Sequence, residues 1–182
     1  MSTPPVCRQT VARSDAVVWA PPQQFIDEQP GLQTLFNIGA GVDALLQLKL
    51  SPSLKVVRLD DAGMSVQMAE FVCHSVIRHF RELDVYESDV QAGRWSYRKP
   101  LNRADFSVGV MGLGVLGSRV AQALCGFEFP VNGWSRSPKS IEGVRGFSGP
   151  DGLNDFLAAS RVLVNLLPLT PDTQGIMNRD RL

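Results

Sequence analysis

The 182-residue chain carries 18 basic and 18 acidic side chains, a formal net charge of zero, and 44% hydrophobic residues. Balanced charge argues against a nucleic-acid or other polyanionic partner, and no apolar run reaches the roughly 20 residues of a membrane span. Cys7, Cys73 and Cys125 are widely spaced, with no C-x-x-C, which fits reduced thiols in a cytoplasmic protein better than a disulfide frame or a zinc site.

The leader, Met1–Ser14, is polar, contains two prolines and lacks the apolar core of a secretory signal. Three short apolar runs then read as strands: Asp15–Trp19, stopped by Pro21-Pro22; Gln33–Ile38, ending in Gly39-Ala40-Gly41; and Leu54–Leu59. Val42, Leu45, Leu46 and Leu48 predict a short helix between the second and third. Met64–Gln91 reads as one long amphipathic helix. Its apolar stripe is Val66, Ala69, Val72, Cys73, Val76, Ile77, Phe80 and Leu83, and Ser65 is its expected N-cap. Gly93–Arg103 is a polar connection containing Trp95 and Tyr97.

Phe106, Val108 and Val110 predict a buried strand, followed by Gly112, Gly114 and Gly117 at the spacing G-x-G-x-x-G. Val115, Leu116, Val120, Ala121 and Leu124 then recur at helical spacing. Gly112 allows a tight turn, Gly114 a close approach of backbone to a pyrophosphate, and Gly117 close helix–strand packing. The unpaired N–H groups at the helix start, around Val115 and Leu116, then face the phosphates. A βα turn that needs glycine only for packing would show the same residues. An adenosylmethionine loop would bring acidic residues close to the glycines, where Val110 and Met111 stand instead.

The second strand of this unit is Pro130–Trp134. An acidic residue at its end would hold a free ribose 2′-OH. Ser135, Arg136, Ser137 and Lys139 stand there instead, a set suited to a 2′-phosphate, so NADP(H) is expected over NAD(H). The rival reading is a solvated basic turn. Gly143–Phe147 is a third strand and Leu153, Phe156 and Leu157 a short helix. Arg161–Leu167 is a buried strand whose following loop, through Pro168 to Thr173, is a second cofactor wall. Leu167, Pro168 and Thr173 are its candidate contacts. The fold class is thus α/β, with four strands in the nucleotide lobe.

These residues, with Val18-Trp19-Ala20-Pro21-Pro22, Asn37-Ile38-Gly39-Ala40-Gly41-Val42-Asp43, Gly63-Met64, Gln67-Met68-Ala69-Glu70 and Asn165 through Thr173, resemble the D-2-hydroxyacid dehydrogenase family, in its glyoxylate/hydroxypyruvate reductase A branch. The resemblance implies a flavodoxin-like α/β substrate lobe (1–62) and a doubly wound Rossmann-type NAD(P)-binding lobe (63–182), both partial. It implies hydride transfer from NADPH to a small 2-keto acid, in a cytoplasmic homodimer associating through the long helix. Trp19, Ala40 and Gly41 match substrate-binding positions and Met68 a position near the nicotinamide. The family's substrate arginine and its glutamate-tuned histidine fall beyond Leu182. His74 and His79 lack that context, so no catalytic residue and no metal ligand is named in this chain. Two other functions compete: a catalytically inactive, truncated nucleotide-binding or dimerising module, and a NAD-linked phosphoglycerate-type dehydrogenase.

Overall fold

The computed structural model describes residues 15–39, 41, 43–59 and 61–181, and the chain divides into two compact units, 1–60 and 61–182. In the first unit, β1 (Asp15–Val18), β2 (Thr34–Asn37) and β3 (Lys55–Arg58) form a parallel sheet in the order β1-β2-β3, with Val18 opposite Asn37 and Asn37 opposite Arg58. Val18, Leu35 and Leu45 are its buried core, and Phe25, Ile26, Leu32, Leu48 and Leu54 pack against them.

Two short helices connect these strands. α1 (Gln23–Asp27) is absent from the sequence-based expectation. Pro21-Pro22 reads there only as a strand stop, yet Pro22 is the helix's N-cap, with the extended backbone of such a position. Five residues give too little periodicity to detect, and Phe25 and Ile26 anchor the turn by packing on the core. α2 (Asp43–Leu46) buries Leu45, as expected from its spacing.

The second unit opens with α3 (Met64–Phe80) and α4 (Leu83–Gln91), two helices where the apolar spacing predicts one. The stripe Ala69, Val72, Cys73, Val76 and Phe80 is buried as expected, but Val66 is 44% exposed. Phe80 closes the stripe in an edge-to-face cluster with Phe106 and Phe129. The next turns along that line bring Asp84 and Glu87, which have no core to face. Glu82 takes φ +52° and breaks the helix. Residues 78 and 87 would stand about 13 Å apart along a continuous helix, yet the Arg78 guanidinium donates to both Glu87 carboxylate oxygens, at 2.5 and 2.7 Å. Arg78 is therefore paired across the break.

Ser65 is not the N-cap. Gly63 occupies that position with φ +84°, and the Asp61 carboxylate does the capping. It accepts from the Ser65 backbone N–H at 2.9 Å and from the Ser65 hydroxyl at 2.5 Å.

Beyond α4, β4 (Val108–Met111), α5 (Val115–Gly126), β5 (Val131–Ser135), β6 (Val144–Ser148), α6 (Asp151–Ala158) and β7 (Val162–Asn165) build a four-stranded parallel sheet. Its order is β6-β5-β4-β7. Parallel strands covered on both faces read as continuous apolar runs, and β4 is buried at every position. α3 and α5 pack together over a core that includes Val76, Phe106, Val110, Val120 and Leu124. Met111, Trp134, Leu153 and Phe156 form a second cluster under α6.

Candidate cofactor and substrate sites

The strand order changes direction at β4. β5 and β6 extend the sheet to one side of it and β7 to the other. In an open α/β sheet, ligands sit outside the carboxyl ends of the strands at such a switch point. The three fingerprint glycines lie at the carboxyl end of β4, and each has a different physical reason to be glycine. Gly112 has φ +98°, and a Cβ there would come within 3.1 Å of the Leu166 carbonyl and 3.2 Å of the Leu167 side chain. A Cβ on Gly117 would overlap the Gly112 carbonyl oxygen, so this glycine lets α5 settle on the turn. Gly114 has φ −75°, open to any residue, and a Cβ there would meet nothing within 4 Å.

Among the described residues, neither backbone conformation nor packing therefore requires glycine at 114. The space a Cβ would enter lies at the mouth of α5, beside exposed Val115. The first N–H groups of a helix have no partner inside it and carry the positive end of its dipole. This open backbone cradle at a helix start fits a diphosphate.

The second wall starts at β7. Its carboxyl end meets the glycine turn directly: Leu166 N–H donates to the Met111 carbonyl at 2.9 Å, and Leu166 and Leu167 lie against Gly112. The Asn165 side-chain oxygen accepts from Leu167 N–H at 3.1 Å. The Thr173 hydroxyl holds the loop in shape, donating to the Pro168 carbonyl at 2.5 Å and accepting from Thr170 N–H at 2.8 Å. Thr173 is thus a brace of the loop, while Pro168 is exposed on it.

The basic turn follows β5. Gly112 N–H donates to the Trp134 carbonyl at 2.8 Å, which seats the end of β5 beside the glycine turn. Ser135 is buried, and its hydroxyl donates to the Ser137 carbonyl at 2.7 Å. Arg136, Ser137 and Lys139 are exposed, and among the described residues no carboxylate pairs with Arg136 or Lys139. The side chains of this turn that carry charge are thus free to meet an anion.

In the first unit, Trp19 and the glycine loop stand at the carboxyl ends of adjacent parallel strands. Trp19 is 78% exposed, and its indole lies 3.5 Å from where a Gly39 Cβ would stand. Trp19 is therefore no core tryptophan of this unit. Gly41 is exposed, and Ala40 lies outside the described residues. Asn37, quoted from the sequence as part of a motif but not as a site residue, is 3% exposed. Its amide donates to the Gly39 carbonyl at 2.7 Å and the Gly41 carbonyl at 3.0 Å. A polar residue ending an apolar strand just before a glycine loop is the signal that would have found it.

Met68 is half-buried on α3 and packs against the main core. His74 and His79 are both exposed on α3, and the His79 ring rests near Phe106. A charged cluster lies on α4. Asp89 is buried on α4 and accepts from the Ser96 hydroxyl and, at 2.7 Å, from Arg94. These bonds, the Ser96 hydroxyl foremost, hold its carboxyl below the usual carboxylate range, and they fold residues 94–96 back onto α4. Asp61 is lowered likewise by the Ser65 hydroxyl and N–H. Burial pushes the Cys73 and Cys125 thiols up, away from the reactive thiolate.

The model of the D-isomer specific 2-hydroxyacid dehydrogenase NAD-binding domain matches residues 73–182. A glyoxylate/hydroxypyruvate reductase A from Photorhabdus laumondii is 46% identical over 169 residues, covering 90% of this chain and 54% of the relative. Among solved structures, a D-isomer specific 2-hydroxyacid dehydrogenase from Xanthobacter autotrophicus in complex with NADPH and MES superposes with TM-score 0.84 at 46% identity. The match covers 92% of this chain and 53% of that one. An NADPH-dependent glyoxylate/hydroxypyruvate reductase from Sinorhizobium meliloti in complex with NADP and sulfate gives TM-score 0.85 at 39% identity, with the same coverages, 92% and 53%. The chain spans about half the length of the curated relatives it matches. No helix among the described residues is long and apolar enough to cross a membrane. With a parallel α/β sheet, a glycine turn at its switch point and a family match across most of the second unit, the chain belongs to the D-isomer specific 2-hydroxyacid dehydrogenases.

Proposed function

We propose that this chain provides the NADPH-binding lobe and the substrate-carboxylate loop of a cytoplasmic reductase that converts small 2-keto acids, glyoxylate or hydroxypyruvate, to 2-hydroxy acids. The observation that carries the reading is Gly114: a glycine that no packing among the described residues requires, at the switch point of a parallel sheet and the start of α5. Residues 63–182 form the cofactor lobe and residues 1–62 the substrate lobe. The turn from Gly112 to Gly117, with the N–H groups of Val115 and Leu116, holds the diphosphate. Arg136, Ser137 and Lys139 hold the 2′-phosphate, with Ser135 shaping their turn. Leu167, Pro168 and Thr173 form the opposite wall, and Met68 borders the nicotinamide. The ligands of the two similar structures, NADPH and NADP, support the cofactor choice.

NADPH, when bound, supplies the hydride. The loop from Gly39 through Ala40 to Gly41 orients the keto acid by its carboxylate, and Trp19 lines the pocket. The family resemblance assigns the arginine that polarises the keto group, and the histidine–glutamate pair that protonates the alkoxide, to sequence outside residues 1–182. Phe71, Val90, Trp95 and Tyr97, each at least 69% exposed, support a homodimer through the α3–α4 region. A sedimentation measurement that finds only monomer would remove that part of the reading.

Calorimetric titration of the chain with NADPH and with NADH tests the core of it. Tighter binding of NADPH, with the difference abolished in Arg136→Ala, is the expected result. A folded chain that binds neither nucleotide overturns the proposal. Binding of NADPH by a full-length protein that reduces no 2-keto acid would leave a nucleotide-binding module in its place.

A further inference from the structure

β5 and β6 set two glycines side by side, Gly133 opposite Gly146. Paired in register across parallel strands, they face the same side of the sheet. Neither has a positive φ, so the reason for glycine lies in what rests on each. A Cβ on Gly133 would strike the Leu113 side chain at 2.8 Å, and Leu113 is the buried residue between the first two fingerprint glycines. A Cβ on Gly146 would meet one group among the described residues, the Lys139 carbonyl, at 3.2 Å. That is tighter than a methyl normally stands, so the carbonyl would have to give by a few tenths of an ångström. Lys139 belongs to the basic turn after β5. The start of that turn is held from beneath: the Ser135 hydroxyl donates to the Ser137 carbonyl at 2.7 Å, and Gly149 N–H donates to the Ser135 carbonyl at 3.1 Å. Its end rests on the bare Cα of Gly146. A charged hydrogen bond is strongest when donor and acceptor meet at the right distance without reorganising, and the reach of a side chain starts from where its backbone stands.

We infer that Gly146 is a positioning residue for the choice between NADPH and NADH: its bare Cα lets the Lys139 backbone lie close on β6, and so sets where the Lys139 ammonium meets the 2′-phosphate, without itself touching the nucleotide. The inference deepens the 2′-phosphate reading above and rests on it. Alanine is a better strand residue than glycine, so the sheet tolerates Gly146→Ala and the turn above it moves. In the full-length protein, the Kd values of NADPH and NADH and the melting temperature without nucleotide are measured for the natural protein, Gly146→Ala, Lys139→Ala and the double variant. In Gly146→Ala the Kd of NADPH is expected to rise roughly threefold to tenfold, part of one charged hydrogen bond. The Kd of NADH stays at its natural value and the melting temperature does not fall. Once Lys139→Ala has removed the ammonium, Gly146→Ala adds no further loss, the mark of two residues acting through one contact. Equal changes for the two nucleotides, no change for either, or losses that add in the double variant overturn the inference. A Gly146→Ala protein that does not fold shows that the sheet gives way and not the turn, and overturns it as well. A natural protein that binds NADPH no more tightly than NADH overturns the 2′-phosphate reading itself, and this inference with it; the natural protein alone decides that point, before any variant is made.

Discussion

Gly114 and Gly117 are the same residue three positions apart, and their surroundings predict opposite mutants. Gly114→Ala places a methyl in open space. The fold keeps its melting temperature, while NADPH affinity falls at least about tenfold, roughly 1.4 kcal/mol. Gly117→Ala drives a methyl into the Gly112 carbonyl, so the loss there is in stability, read as a lower melting temperature with or without nucleotide. Arg136→Ala removes a charge that no carboxylate among the described residues shares. A hydrogen bond to a charged group is worth about 1.5–3 kcal/mol, so NADPH binding weakens by roughly one to two orders of magnitude while NADH binding stays constant. At this scale the glycine spacing and the missing acidic residue after β5 were legible directly. Asn37 was not, because its role depends on two carbonyls whose direction no residue type encodes. The capping role of Asp61 escaped for a related reason, since Ser65 has a good capping side chain and loses the position only through the φ +84° turn at Gly63.

The helix boundary at residues 81–82 shows what periodicity leaves out. A spacing of three and four continues from Phe80 to Leu83, and nothing in that pattern marks an end. The end comes from the partner surface, because the aromatic cluster of Phe80, Phe106 and Phe129 finishes the apolar contact. Glu82→Gly distinguishes the two pictures by sign. In a continuous helix glycine would cost about 1 kcal/mol. At φ +52° it relieves a left-handed backbone that costs a non-glycine residue roughly 1–2 kcal/mol, so the melting temperature is expected to rise. Acid sensitivity is expected further along α4. The Asp89 carboxyl is lowered by Ser96 and Arg94, so its contribution is present above the ordinary carboxylate value and is lost as pH falls through its lowered value in the folded state. Asp89→Asn should therefore melt below the natural chain at pH 7. The gap should close in acid, below about pH 4, and a series of melting curves against pH checks both signs.

For the molecule as a whole, cofactor binding and sheet topology are linked. A ligand that binds only the folded chain stabilises it by about 2.7 kcal/mol at a hundred times its dissociation constant. At one fixed NADPH concentration the melting temperature of the natural chain should accordingly rise, and that of Gly114→Ala should rise by less. The sequence by itself determined the strands of an α/β fold, the glycine turn between β4 and α5, and the basic turn after β5. Each of these is written in local chemistry: apolar runs, glycine spacing, and the sign of a few charges. Only the tertiary structure decided that β7 lies beside β4 and so brings Leu167 against Gly112. The same is true of the end of α3 at Phe80, the start of α1 at Pro21-Pro22, and the amide of Asn37 that holds the glycine loop. These depend on which surfaces meet across long stretches of chain, and a residue's own type carries no record of the neighbour that satisfies it.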